Sequence, residues 1–217
     1  MSDTTAAAVV LAGGRSSRMG RDKALLSWAD GTLLDHVVAV ARRAGCGPVV
    51  VVGAAGFPRP VDGEGVLAVT DDEPGRGPLQ GIATGLTAAA GAGRATAFLC
   101  SVDLPRLHPA YVGAVLAALG DAEVALPVLH GHRQPLAAAY RTTLGPRATG
   151  LLAAGARRPA ELFAVSEVRE ITADDLLADP VVRAADPGLR AVADVDTPEE
   201  YAAAVARERE EPDDARA

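Results

Sequence analysis

The residues best equipped for chemistry lie near the start of the chain, in Ala8 to Lys23, AVVLAGGRSSRMGRDK. Gly13-Gly14 lets the backbone take positive φ and come close to a ligand without steric cost. Successive N–H groups in such a turn form an anion-binding concavity. Arg15, Arg18, Arg21 and Lys23 add four cationic side chains directly behind it. In a chain of net charge −7, this local excess of positive charge reads as a phosphate cradle rather than a solvated turn. Two familiar cradles are excluded. A Walker A loop needs G-x-x-x-x-G-K-[ST], but Met19 stands where the second glycine should follow Gly14. A dinucleotide loop needs G-x-G-x-x-G, which Gly14-Arg15-Ser16 breaks.

Asp103 is the second group of interest. It follows the apolar run Ala95 to Ser101 almost immediately, so it sits at the tip of a strand. There it could hold Mg2+, which accepts one or two carboxylates plus phosphate oxygens and waters; it could also merely cap the turn before Pro105. Asp71, Asp72 and Glu73 end another apolar run and lead into Gly77-Pro78, a cap and first-turn pair for a helix. His130-Gly131-His132 has no neighbouring cysteine or third histidine and reads as an exposed turn rather than a metal site. Arg133 and Gln134, beside it, are candidates to grip the phosphate or ring edge of a second substrate. His108 reads as a helix cap. Cys46 and Cys100 lack CxxC spacing and read as reduced thiols that pack in a core.

The elements that must position these groups follow from periodicity. Ala6 to Ala12, Val49 to Val52, Val66 to Val69 and Ala95 to Ser101 are short β-branched or apolar runs expected as buried strands. Glu123 to Val128, Gln134 to Tyr140 and Val165 to Ile171 are expected to follow as strands. Between the first of these runs, Thr32 caps a helical pattern of Leu33, Leu34, Val37, Val38 and Ala41 that stops at Gly45. Leu144 to Ala164 is helical with breaks at Gly155 and Pro159. Thr172 and Thr197-Pro198-Glu199-Glu200 open further helices with capping signatures. Alternating strands and helices imply a mostly parallel central sheet covered on both faces, a three-layer α/β/α arrangement. Ligands in such sheets bind outside the carboxyl ends of the strands, where Gly13, Gly53, Asp71 and Asp103 collect.

The 217 residues suit one domain over 1–206, with 207–217 a charged, disordered tail. Hydrophobic content of 49% with 3% aromatic residues supplies a core of Val, Leu and Ala. Net charge −7 argues against nucleic-acid binding, which needs a basic face. No apolar stretch is long enough for a membrane span and no basic leader precedes the first apolar run. The expectation is a soluble cytoplasmic protein with no membrane or nucleic-acid partner.

Leu11-Ala12-Gly13-Gly14 through Asp22-Lys23 resembles the signature loop of the nucleotidyltransferases, and most of all that of the molybdenum cofactor guanylyltransferases. Four later motifs keep the same order: Gly77-Pro78-Leu79-Gln80-Gly81, Ser101-Val102-Asp103-Leu104-Pro105, Pro135-Leu136 to Tyr140, and Asp196-Thr197-Pro198-Glu199. The resemblance spans about residues 6–205. It implies a Rossmann-like nucleotidyltransferase fold and transfer of GMP from GTP to the terminal phosphate of molybdopterin or molybdenum-molybdopterin, with pyrophosphate released. By the same resemblance, Leu11, Ala12, Gly13, Gly14, Lys23, Asp71 and Asp103 bind the nucleotide, Arg15 and Lys23 act with Asp103 in catalysis, and Asp103 holds Mg2+. Molybdoenzyme maturation partners would also be implied. Two departures matter. Val52-Gly53 replaces a base-contacting asparagine, and Asp194-Val195-Asp196 replaces Asn-x-Asn, which brings the chain nearer to the cytidylyltransferases of the same superfamily. The alternatives are therefore a CTP-dependent cytidylyltransferase, a related enzyme with another phosphorylated acceptor, or a nucleotide-binding regulator without catalysis.

Overall fold

The computed structural model describes residues 5–13, 23–54, 65–71 and 76–210. Among the described residues ten strands run in chain order: β1 (Ala7–Leu11), β2 (Ser27–Trp28), β3 (Gly31–Thr32), β4 (Val49–Ala54), β5 (Val66–Asp71), β6 (Thr96–Ser101), β7 (Val124–Leu129), β8 (His132–Arg133), β9 (Ala137–Arg141) and β10 (Val168–Ile171). Between them stand α1 (Leu33–Arg43), α2 (Pro78–Gly91), α3 (Pro109–Ala118), α4 (Leu144–Ala153), α5 (Pro159–Phe163), α6 (Ala173–Leu177), α7 (Pro180–Ala185) and α8 (Pro198–Glu210). The main sheet has the order β10-β7-β9-β6-β1-β4-β5, with β8 paired to β7, while β2 and β3 form a separate hairpin. All pairings along the main order are parallel except those of β9, which runs antiparallel to both β6 and β7.

β1 sits at the centre because nothing in it tolerates water. Ala7, Ala8, Val9 and Val10 are all fully buried, and a buried valine contributes roughly 1.5–3 kcal/mol. Alternate residues face opposite sides of a strand, and the core divides accordingly. Ala8 and Val10 join α1 and α3 on one face, whereas Ala7, Val9 and Leu11 join α2 and α4 on the other. On that second face α2 lies unusually close to β1, since a Cβ on Gly85 would fall 2.2 Å from Val9 Cγ1. These two layers around one sheet are the expected α/β/α arrangement.

The caps behave as their residues dictate. Thr32 accepts from the Asp35 N–H while Asp35 accepts from Thr32 N–H, which closes a capping box on α1. Thr172 and Asp175 do the same on α6. His108 Nδ1 accepts from Ala110 N–H at 3.1 Å and starts α3. Glu200 accepts from the N–H groups of Asp196 and Thr197 at the start of α8.

Several expectations need correction. β5 is not a buried strand: it ends the sheet order, with Leu67 41% exposed, because among the described residues no further strand covers its apolar run. His132-Arg133 is not a free turn but pairs back on β7 through Val128 and Leu129, with His130 and Gly131 at positive φ making the reversal. Within the described residues α8 runs to Glu210, in keeping with Glu and Arg as good helix formers; the expected tail lies mostly outside them. α7 and the β2–β3 hairpin are too short to carry a periodic signal.

Candidate active site

The chain winds from β1 outward to β4 and β5, then returns to place β6 on the other side of β1. The carboxyl ends of β1 and β6 therefore lie side by side where the winding reverses, the position at which open α/β sheets bind ligands. Leu11 is in register with Ser101, and Val102 N–H donates to Leu11 O at 3.1 Å. Ala12 N–H donates to Val52 O at 2.8 Å, and Gly13 follows it beside the Gly53-Ala54 backbone, where a Cβ would stand 3.5 Å from Ala54 N. Gly14 and Arg15 lie outside the described residues.

Lys23 opens a short 3-10 turn that is anchored by the fully buried Ala24. Its ammonium donates to Asp103 Oδ2 at 2.9 Å and to Asp196 Oδ1 at 2.6 Å. Two residues expected to share the chemistry, Lys23 and Asp103, thus meet from positions 80 residues apart. Their side chains are only 15% and 18% exposed, against 51% for Asp196. Burial pulls the ammonium pKa down, but the hydrogen bonds and charges of Asp196 and Asp103 outweigh it and leave Lys23 held above its ordinary value. The segment that carries Asp196 is pinned by Val195 N–H, which donates to Asp103 O at 3.1 Å. Although Asp194 presents much of its surface to solvent, its carboxyl is pushed up, first by desolvation and then by the charges of Asp196 and Asp103.

This donor set suits a divalent cation. Two carboxylates, those of Asp103 and Asp196, share one ammonium and leave one negative charge uncompensated, and both donors are hard oxygens. Among the described residues no group of three or more His, Cys, Asp and Glu forms a ready-made cage. Magnesium does not require one, because substrate phosphates and waters complete its octahedron.

The remaining motifs prove to be positioning devices. Ser101 N–H donates to Leu136 O at 3.0 Å, and the buried Tyr140 hydroxyl donates to Pro135 O at 2.7 Å. The Pro135-to-Tyr140 segment thereby fixes the end of β6 that presents Asp103. Gly77, at φ 82° and ψ 173°, caps α2, a backbone region that essentially only glycine occupies. A Cβ there would fall 2.6 Å from Arg157 O, and the same carbonyl accepts from Leu79 N–H at 3.4 Å. Arg157, absent from the sequence-based site, therefore braces the N-terminus of α2. Its signal, the Arg157-Arg158 pair before Pro159, was legible only as a helix break.

Asp71 lies at the tip of β5, in register with Ala54. It shares the carboxyl edge but is two strands from β1, a lateral distance of roughly 10 Å, and so stands across the crevice from the Lys23–Asp103 pair. Arg133 is engaged elsewhere: it forms an ion pair with Glu170 on β10 at 2.6 Å. Gln134 Nε2 donates to His132 O at 3.4 Å. Asp196 is the member of the site that sequence reasoning left without a role. Its motif was visible, but 173 residues separate it from Lys23.

Comparison with known proteins shows the family and the fold. Residues 8–171 match the family model described as the MobA-like NTP transferase domain. A probable molybdenum cofactor guanylyltransferase of Mycobacterium bovis (strain BCG / Pasteur 1173P2) is 44% identical over 173 residues, covering 78% of this chain and 84% of that protein. The crystal structure of molybdopterin-guanine dinucleotide biosynthesis protein A from Archaeoglobus fulgidus superposes with a TM-score of 0.71 at 17% identity, covering 94% of this chain and 98% of its own. A Mycobacterium tuberculosis H37Rv protein, Rv0371c, solved in complex with manganese, has the same fold with a TM-score of 0.62 at 18% identity, over 94% of this chain and 99% of its own. With the family model covering most of the chain and a relative 44% identical over most of both chains, the protein belongs to the MobA-like NTP transferases and is a nucleotidyltransferase.

Proposed function

We propose that this enzyme transfers GMP from GTP to the terminal phosphate of molybdopterin, in its metal-free or molybdenum-loaded form, and releases pyrophosphate. The observation that carries the reading is the Lys23–Asp103–Asp196 cluster at the mouth of β1 and β6, in a chain 44% identical to a probable molybdenum cofactor guanylyltransferase.

An oxygen of the acceptor phosphate attacks the α-phosphorus of the triphosphate. The new O–P bond forms as the α–β bridging bond breaks, and the electron pair leaves with pyrophosphate. The acceptor oxygen is already anionic, so no general base is needed and the rate arises from alignment and charge stabilisation. In this reading the backbone from Leu11 through Gly14 holds base and phosphate, and Asp71 contacts the nucleotide across the crevice. Arg15 and Lys23 screen the triphosphate oxygens, with Lys23 exchanging one carboxylate partner for phosphate. Asp103 would hold Mg2+, with Asp196 placed to assist, and the ion would neutralise charge building on the phosphate oxygens. Asp103 and Asp196 also keep the Lys23 ammonium protonated and in place before substrate arrives.

A second reading, CTP-dependent transfer, rests on the carboxylates of Asp194 and Asp196. Pyrophosphate release in the presence of Mg2+ and molybdenum-loaded molybdopterin, with GTP and CTP offered in parallel, decides between them. Release with GTP alone is the expected outcome. Release with CTP alone assigns the chain to cytidylyl transfer, and release with neither overturns the acceptor.

A further inference from the structure

On the α1 and α3 side of the sheet, behind the loop that carries Asp103, lies a small recess of about 170 Å3. Its walls come from the Pro105–His108 loop, the end of α7, the turn at Arg190 and the last turns of α8. We propose that this recess is a binding site for a single free oxyanion of phosphate size, separate from the nucleotide crevice.

The charge pattern supports it. Arg106, Arg190 and Arg207 line the recess from three segments distant in sequence. None of their guanidinium groups has a hydrogen-bond or ion-pair partner among the described residues. Several other arginines of the chain are engaged: Arg133 with Glu170, Arg147 with Glu123, Arg141 with the carbonyl of Ala122 and Arg183 with that of Leu177. With Asp186 and Glu208 also in the lining, the recess carries one positive charge in excess in a protein of net charge −7, which favours an anion there.

The two carboxylates in the recess, Asp186 and Glu208, offset two of the three arginine charges and leave one in excess. Asp186 spends its oxygens on the backbone, accepting from Arg190 N–H at 2.8 Å and Ala191 N–H at 2.7 Å. It thereby fixes the turn that presents Arg190, with Leu189 held at φ 48°, and leaves the guanidinium itself available. His108 adds a donor: its Nδ1 is occupied as acceptor for Ala110 N–H, so in the neutral ring the proton resides on Nε2.

Size selects the ligand. Sites for nucleotides and other drug-sized molecules occupy roughly 300–1,000 Å3, so this recess holds one oxyanion with a few waters and no nucleoside. Planar guanidinium groups arranged around a tetrahedral oxyanion can each donate two parallel hydrogen bonds.

The test is equilibrium dialysis of radiolabelled inorganic phosphate against the full chain, with GTP and Mg2+ at saturation so that phosphate is excluded from the nucleotide crevice. One phosphate per chain is expected to remain bound, with a dissociation constant of about 1 mM. The double substitution Arg190→Gln with Arg207→Gln should weaken that binding by about tenfold or more, and Arg133→Gln should leave it unchanged. Arg106→Gln gives an independent reading should the double variant fold poorly, as judged by circular dichroism. Loss of all phosphate binding at saturating GTP overturns the proposal. So does a double variant that folds and binds as well as the parent, or an equal loss in Arg133→Gln.

Discussion

Removing the carboxylates around Lys23 one at a time separates their structural work from their chemical work. Lys23 is only 15% exposed and is held by both Asp103 and Asp196. In Asp103→Ala the ammonium keeps Asp196 at 2.6 Å, so the loss is that of one hydrogen bond to a charged group, about 1–2 kcal/mol. Asp196 is half exposed, so solvent screening limits Asp196→Ala to about 0.5–1 kcal/mol. Relief of repulsion on Asp194 lowers both figures. The double variant leaves a largely buried ammonium without either partner, which costs about 3–5 kcal/mol. The cycle should therefore exceed additivity by about 1.5 kcal/mol, well above the roughly 0.5 kcal/mol expected of independent sites. Urea unfolding without metal reads this directly, because the only tryptophan, Trp28, is 2% exposed and reports loss of the core. Alongside it, pyrophosphate release in Asp103→Ala should fall by about 10^2–10^3-fold or more, and by less in Asp196→Ala. Additive stabilities would refute the shared-partner account of Lys23. Turnover within about tenfold of the parent in Asp103→Ala would refute the chemical role of Asp103.

Two further expectations follow from the same geometry. Gly77→Ala forces a Cβ to within 2.6 Å of Arg157 O at φ 82°; it should cost about 1–3 kcal/mol and raise the KM for the nucleotide by displacing the start of α2. An unchanged melting temperature together with an unchanged KM would show that α2 is not braced there. Asp194 has a folded pKa raised above 3.8, so its ionisation opposes folding, fully so above the folded pKa and progressively less as pH falls towards 3.8. Asp194→Asn should accordingly stabilise the metal-free protein near pH 7 by up to about 0.5 kcal/mol, discounted for solvent screening, with the gain fading towards pH 4. A gain that persists at pH 4 would contradict the carboxylate-repulsion argument.

Local physics made much of the molecule legible without coordinates. The buried runs at Val9-Val10 and Val49 to Val52, the caps at Thr32, His108 and Thr172, and the Gly77-Pro78 helix start are dictated by neighbours within a few residues, and each forms where expected. Asp103 could be placed at a strand tip for the same reason. What depended on tertiary structure was which tips become neighbours. The exposure of β5 reflects its place at the end of the sheet order, a property of strands that lie far from it in sequence. The return of His132-Arg133 onto β7 and the diversion of Arg133 to Glu170 depend on pairings that periodicity does not encode. Most of all, Lys23 meets Asp196 only because β6 lies beside β1 and Val195 is hydrogen-bonded to Asp103. Side-chain type and short-range backbone preference set the parts and their chemistry; sheet order, which minimises exposed apolar surface across the whole chain, decided which charges would face one another.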